Sequence, residues 1–293
     1  MQLTVVTGPR SVEIARHHPA IDRVLLLDRR PDHLARFLAR LLGSRFDIWL
    51  DPKDHASGTS RSAARLARAA LKIGFNGAGP GPFDIGFVAR PDEHRHFAEI
   101  AASRLTQLGH AAPTEPRLSV GLSPEGVRRA SSLLEGAAPH TVLVNISAGA
   151  PTRYWPLERW IELLPRLAAI RETTFLLSSA PEDADDAARL AVSASAAGLD
   201  LRRLPSGTLL DVAAVVSRVT MVLSVDTAIV HLAAALDRPI VALYYLVPTA
   251  FERFHPLSRL QEVATPGESI PLARLPVESV ERSYRTLLQR LSA

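Results

Sequence analysis

The chain has no cysteine in its 293 residues, which excludes a disulfide scaffold, thiolate metal sites and a cysteine nucleophile. It is also nearly without lysine. Of 34 Lys and Arg residues only Lys53 and Lys72 are lysines, so its cations are almost all guanidinium groups, which stay charged and grip phosphate or carboxylate with two parallel hydrogen bonds. Aromatic residues are 5% of the chain and basic residues never run to about five or six in a row, which argues against nucleic acid as a partner. Apolar runs are short as well. Asp226, His231, Asp237 and Arg238 interrupt the most apolar region, leaving nothing close to the roughly 18 residues of a membrane span. Met1–Arg10 has neither the basic start nor the apolar length of a secretory signal, so the cytoplasm is the expected compartment.

What is present is a chain that is 47% hydrophobic with a net charge of +4, enough for one large or two medium domains. The arginine excess has two readings, either solvated helix faces or a surface meeting anionic partners such as nucleotides, phosphorylated glycolipids or an acidic membrane face. Short β-branched runs alternate with longer Ala/Leu/Arg segments of helical period, the pattern of stacked βα units on parallel sheets. In the first half the spacing predicts strands at Leu3–Val6, Arg23–Leu27, Asp47–Leu50 and Asp84–Val88. Helices are predicted at Ser11–His17, Asp32–Leu42, Ser60–Ala70 and Asp92–Leu108, with a Gly/Pro loop at Gly77–Pro82 that lacks the spacing of a dinucleotide-binding turn. After a Pro- and Thr-rich stretch from His110 to Pro124 the alternation restarts. Strands are expected at Thr141–Ile146, Thr174–Leu177, Thr220–Val225 and Ile240–Tyr244. Helices are expected at Leu157–Ala169, Glu182–Ala197, Leu209–Val216, Thr227–Leu236 and Val277–Leu291. Domains of 1–122 and 123–293 follow, with the last helix free to pack back on the first.

Two segments carry chemistry. In Ser224-Val225-Asp226-Thr227-Ala228-Ile229-Val230-His231 a buried strand runs into a helix, with Asp226 read as the N-cap and the amides of Thr227, Ala228 and Ile229 as free first-turn donors. Such an end attracts phosphate. The plain alternative is that Asp226 and Thr227 merely cap the helix and His231 packs beneath it. In Asn145-Ile146-Ser147-Ala148-Gly149-Ala150-Pro151-Thr152-Arg153-Tyr154-Trp155-Pro156 a strand exits through small residues, presents Arg153 and enters a helix. Arg153 there suits a diphosphate, or is a surface arginine beside a structural tryptophan.

Together the Asp-Thr-x-x-x-His-Leu-x-Ala-Ala run at 226–235 and the Asn-x-x-Ala…Arg-x-Trp-Pro run at 145–156 resemble glycosyltransferase family 9, the heptosyltransferases of lipopolysaccharide core assembly. A weaker likeness extends over Asp51-Pro52-Lys53-Asp54-His55 and Arg68–Phe75. The resemblance implies a GT-B fold, two Rossmann-like doubly wound domains facing a central cleft. It also implies an inverting, metal-independent transfer from a nucleotide sugar, typically ADP-heptose, to a lipopolysaccharide-core or related glycolipid acceptor, at the cytoplasmic face of the inner membrane and without a cofactor. By that resemblance Arg153 meets the donor phosphates, Asp226 the donor sugar, and Thr227 and Ala228 the diphosphate, while His231 either touches ligand or orients its helix. Glu182 or Asp183 takes the ribose hydroxyls, and Pro205–Thr208, with Gly207 and Thr208, borders the adenine.

The chain departs from the family pattern in three places. Ala228 stands where glycine is usual, and Tyr245-Leu246-Val247-Pro248-Thr249 replaces a Gly-Pro-Thr turn. The family's first strand and its Gly-Asp loop, which holds the proposed base, have no counterpart, so the N-terminal sheet is expected to be incomplete. Such a sheet could close by direct pairing of its remaining strands, borrow a strand from another protomer, or belong to a gene model begun at an internal Met. Asp51, Asp54 and His55 are then the nearest substitutes for a base, against the plain reading of a solvated polar loop. Two further functions stay open: a catalytically silent nucleotide-sugar-binding protein, and a GT-B nucleotide-sugar epimerase. No metal site is expected, since His94 and His96 are two apart in a predicted helix, His17 and His18 are adjacent, and Asp183, Asp185 and Asp186 suit a helix dipole.

Overall fold

The computed structural model describes residues 1–53, 55, 57–75, 81–88 and 95–292. The chain divides into two compact units, Met1–Pro116 and Arg117–Ala293, so the boundary lies within the Pro- and Thr-rich stretch and a little before the expected 122/123.

In the first unit β1 (Thr4–Thr7) pairs in parallel with β2 (Arg23–Leu26). A separate parallel sheet holds β3 (Phe46–Asp51), β4 (Ala69–Gly74) and β5 (Ile85–Gly86). Helices α1 (Val12–His17), α2 (Pro31–Gly43) and α3 (Gly58–Leu66) link these strands, and α4 (Phe97–Gln107) follows. Phe37 and Leu41 of α2 pack with Leu25 and with Ala63 and Ala67 into one small core. Direct pairing that would join these two sheets into one, an arrangement open to an incomplete sheet, does not occur among the described residues. β1 and β3 each have a single hydrogen-bonded neighbour, and Ile48 and Leu50 on β3 stay 50% and 40% exposed. The expected helix over Ser60–Ala70 is shorter, because Ala69 and Ala70 open β4, a strand that the alanine-rich sequence hides. The expected start of the Asp92–Leu108 helix and most of the Gly77–Pro82 loop lie outside the described residues.

The second unit opens with α5 (Pro124–Leu133) and continues as β6 (Thr141–Asn145), α6 (Leu157–Ile170), β7 (Thr174–Ser178), α7 (Ala184–Ala196) and β8 (Asp200–Arg203). Then come α8 (Leu209–Val216), β9 (Met221–Val225), α9 (Ala228–Ala235), β10 (Ile240–Leu243), α10 (Pro248–Phe254), β11 (Gln261–Ala264) and α11 (Val277–Ser292). All six strands are parallel, in the order β11-β10-β9-β6-β7-β8. The chain therefore runs outward from β6 in one direction and then restarts beside it with β9, the doubly wound order with its switch point between those two strands.

Every residue of β6, β7 and β9 is buried, as strands covered on both faces must be. Alternate residues serve opposite faces. Val142 and Val144 join a core built with α6, α7 and α11, whereas Leu143 joins one built with α8 and α9. Thus α11, which the sequence reading allowed to return to the first domain, packs on α6, β10 and β11 of its own unit, burying Val280, Tyr284 and Leu287. β8, β11 and α10 escape the sequence reading because they are short and partly exposed, without the apolar runs that mark the inner strands.

His140, just ahead of β6, is buried, with its Nε2 2.8 Å from the Tyr284 hydroxyl. Burial, helped by the Arg171 charge, pulls its pKa down to about 4. The folded chain thus holds a neutral imidazole that the unfolded chain protonates near its usual value of about 6.5. Stability present above that pH is lost as the pH falls toward 4, by up to about 3 kcal/mol. Urea unfolding at steps between pH 7 and 4 should show a smaller acid-side loss in His140→Gln than in the parent; equal losses would show that His140 is not the group taking up the proton.

Candidate functional site

In a parallel sheet all carboxyl ends lie on one edge, so the loops after β6, β7, β8 and β9 share that edge. They hold, respectively, Arg153, Glu182 with Asp183, Gly207 with Thr208, and Asp226 through His231. At the switch point the chain after β6 turns toward α6 on one face and the chain after β9 toward α9 on the other, which parts the two loops and leaves a crevice.

After β6 the small residues Ser147–Ala150 lead into a 3-10 turn at Pro151–Arg153. Gly149 has open space where a side chain would stand. Trp155 anchors the end of this loop. It is buried, donates through Nε1 to the Leu275 carbonyl at 3.0 Å and packs edge-on against Trp160 at 4.8 Å. Tyr154 donates to Asp183 Oδ2 at 3.2 Å, and burial, then the Asp183 charge, hold its phenol above the usual range. Arg153 is thus fixed at its backbone while its side chain is 41% exposed.

After β9 the Asp226 amide donates to the Leu243 carbonyl at 3.0 Å, which holds the residue to the end of β10. The N-cap of α9 is Thr227, whose Oγ1 accepts from the Ile229 amide at 3.3 Å. This corrects the expectation that Asp226 caps the helix, and it removes the Ile229 amide from the free donors. The Asp226 carboxylate lies instead 3.3 Å from Arg153 Nη1, with its side chain only 16% exposed. Burial raises its pKa, opposed by the Arg153 charge and then by His231. His231 is itself lowered by burial, against the pull of Asp226, and the Tyr244 phenol is raised mainly by burial and then by Asp226. The two loops that the sequence singled out are therefore brought together, and their contact is a desolvated carboxylate facing a half-open guanidinium.

The other expected residues have local explanations. Glu182 and Asp183 occupy a 3-10 turn before α7. Thr208 caps α8 and exchanges hydrogen bonds with Asp211, which also pairs with Arg129 of α5. Gly207 is required by that cap, since a Cβ there would fall 2.9 Å from Asp211 Oδ2. The Thr208-x-x-Asp211 spacing is a capping-box signal legible in the sequence. Ala228 is exposed at the first turn of α9. The Tyr245–Thr249 stretch forms a bridge between Leu246 and Glu268 and then starts α10. In the first unit Asp51 is buried at the end of β3, where its Oδ1 accepts from the Lys53 amide at 3.3 Å, and His55 is exposed. Asp54 and His94 lie outside the described residues. Asn145 and Tyr154 are the residues that the sequence reading did not assign.

A doubly wound unit with an Arg–Asp pair and a helix N-terminus at its switch point is an α/β unit of the kind that holds ligands at that edge of the sheet. The profile of glycosyltransferase family 9 (heptosyltransferase) matches residues 34–273; the chain belongs to that family. Lipopolysaccharide heptosyltransferase 1 of Escherichia coli K12 is 38% identical over 92 residues, 31% of this chain and 28% of that protein, so the match spans little more than a quarter of the relative's length. The E. coli heptosyltransferase WaaC with ADP-2-deoxy-2-fluoro heptose superposes with a TM-score of 0.73 at 22% identity, over 97% of this chain and 90% of that one. A family 9 glycosyl transferase from Veillonella parvula superposes with a TM-score of 0.80 at 18% identity, over 99% and 88%. The fold is that of these GT-B heptosyltransferase structures. No helix among the described residues is long and apolar enough to cross a membrane.

The capping assignment predicts a split in stability. Thr227→Ala should lower the unfolding free energy by about 1 kcal/mol. Asp226→Asn should leave it unchanged or raise it, because the folded state lifts this carboxyl's pKa and so disfavours the ionised form present at neutral pH. Urea unfolding at pH 7 checks both; an Asp226→Asn loss as large as that of Thr227→Ala would return the cap to Asp226.

Proposed function

We propose that this chain transfers a sugar, with inversion and without a metal or other cofactor, from a nucleotide sugar of the ADP-heptose type to a lipopolysaccharide-core or related glycolipid acceptor. The observation that carries the reading is the Arg153–Asp226 pair at the switch point beside the start of α9. Arg153 has no acidic partner other than Asp226 among the described residues and half its surface is open, so it is free to exchange a carboxylate for a diphosphate. A guanidinium and a helix N-terminus aimed at the leaving diphosphate stabilise the charge that develops as the bond to the anomeric carbon breaks. Asp226 then faces the sugar, Glu182 or Asp183 the ribose, and the 205–208 backbone the adenine. The acceptor hydroxyl attacks the anomeric carbon from the opposite side and yields its proton to a base, for which Asp51, Asp54 and His55 are the candidates. A phosphorylated glycolipid and the arginine-rich surface suit work at the cytoplasmic face of the inner membrane.

A second reading, a nucleotide-sugar binder without transfer, is favoured by the burial of Asp51 and its engagement with the Lys53 amide, which take one of the three candidate bases out of solvent. Calorimetry with ADP and ADP-heptose, joined to a transfer assay, decides between them. Arg153→Ala should weaken ADP binding about tenfold or more, and Asp226→Ala should keep ADP binding but impair use of the donor. Both variants binding ADP and donor like the parent would overturn the site; parent binding without transfer would establish the silent reading, and product formed without acceptor an epimerase.

A further inference from the structure

Asn145 is the one side-chain amide in the central strand β6, Thr-Val-Leu-Val-Asn, and it is 2% exposed. Asparagine is disfavoured in strands, and a buried amide is costly unless its hydrogen bonds are made. Its Nδ2 lies 3.1 Å from the Ser147 carbonyl, 3.0 Å from Ser224 Oγ and 3.3 Å from Thr227 Oγ1, so its two N–H protons are shared among three acceptors. The orientation of the amide is fixed by its partners. A carbonyl can only accept, and the Ser224 hydroxyl spends its own proton on the Val225 carbonyl at 2.8 Å.

These three acceptors lie on both sides of the fork. Strand pairing between β6 and β9 ends at Asn145 and Ser224, and beyond them the loops part toward opposite faces. Ser147 begins the loop that carries Arg153, and its Oγ accepts from the Ala180 amide at 2.7 Å, reaching the loop of Glu182 and Asp183. Thr227 is the cap that sets the start of α9 next to Asp226. One side chain therefore ties the two loops that carry Arg153 and Asp226 to each other, and Ser147 extends the link to the loop after β7.

We propose that Asn145 is a positioning residue that locks the Arg153 loop to the N-cap of α9, so that guanidinium and helix terminus act on one diphosphate. The proposal rests on the nucleotide-sugar reading for its ligand, but the lock itself is a property of the free protein. Two measurements test it on the full chain, with Asn145→Ala and the isosteric Asn145→Asp, which keeps the volume while removing the donor. In hydrogen exchange without ligand, amides at 147–153 and 227–230 should exchange faster together, with β6, β7 and β9 unchanged. Faster exchange across the whole second unit, or in one loop alone, overturns the lock. In calorimetry with ADP, each Asn145 variant should bind about tenfold more weakly than the parent, which is about 1.4 kcal/mol. In an Arg153→Ala background the same change should alter ADP affinity less than twofold, because the residue through which Asn145 acts is gone. Equal losses in both backgrounds, or ADP affinity unchanged in the Arg153 parent, overturn the positioning role. A parent that binds no ADP defeats the nucleotide-sugar reading, and with it the positioning role on a diphosphate, while the exchange result still decides whether the lock exists.

Discussion

The fork between β6 and β9 is the constraint from which the rest of the second unit follows. An all-parallel sheet needs a crossover after every strand, and strands buried on both faces need helices on both faces. The chain meets both demands by winding outward from β6 with α6 and α7 on one face, then returning to β6's other flank with α8 and α9 on the other. Two neighbouring strands must therefore send their loops apart, and backbone pairing cannot continue past Asn145 and Ser224. The backbone groups left there need side-chain partners, and Asn145, Ser224 and Thr227 supply them to the Ser147 carbonyl, the Val225 carbonyl and the Ile229 amide. A fork closed by hydrogen-bonded side chains is thus a product of topology before any ligand is considered.

The electrostatics of the second unit separate structure from site. Arg129–Asp211 and Arg153–Asp226, two Arg–Asp pairs that each link different segments of the unit, behave in opposite ways. Burial pushes Asp211 upward, but the Thr208 amide and hydroxyl and the Arg129 guanidinium outweigh it and hold the carboxyl below its usual range. That is an ionised anchor between α5 and α8. At Asp226 the carboxylate has no comparable set of donors, and burial wins over Arg153 and His231. Folding alone gains little from a desolvated carboxylate with one long contact to an exposed guanidinium. Carboxylates perturbed by desolvation in crevices mark candidate functional sites, and the contrast with Asp211 within one unit supports the ligand role proposed for Asp226.

Much of this was legible in the sequence, and the exceptions share a cause. The inner strands β6, β7, β9 and β10 are dominated by apolar residues and are found within a residue of their observed ends. β4 reads as the tail of α3 because Ala69-Ala70 continues a helical composition, and only its pairing with β3 makes it a strand. β8, with its sequence Asp-Leu-Arg-Arg, is a strand because β7 offers it an edge. Arg153 and Asp226 were visible as a charged pair of strand exits, yet their contact was not, since nothing local relates positions so far apart. The N-cap shows the finer limit. Asp and Thr are both good caps, and the choice of Thr227 was made by the backbone bond from Asp226 to Leu243, which belongs to the neighbouring strand.

The same reasoning bears on Ala228, where the family pattern carries glycine. A glycine is demanded by the fold when the backbone must take a positive φ or when a Cβ would collide. Among the described residues other than glycine only Asp237 and Ser269 have a positive φ, so the start of α9 makes no such demand, and Thr227 enters the helix from an ordinary extended conformation. The methyl group of Ala228 is exposed and strains nothing in the protein. On the proposed reading its cost falls on the ligand, outside the helix terminus, whereas Asn145, Trp155 and Thr227 hold the loops themselves through hydrogen bonds already made within the protein.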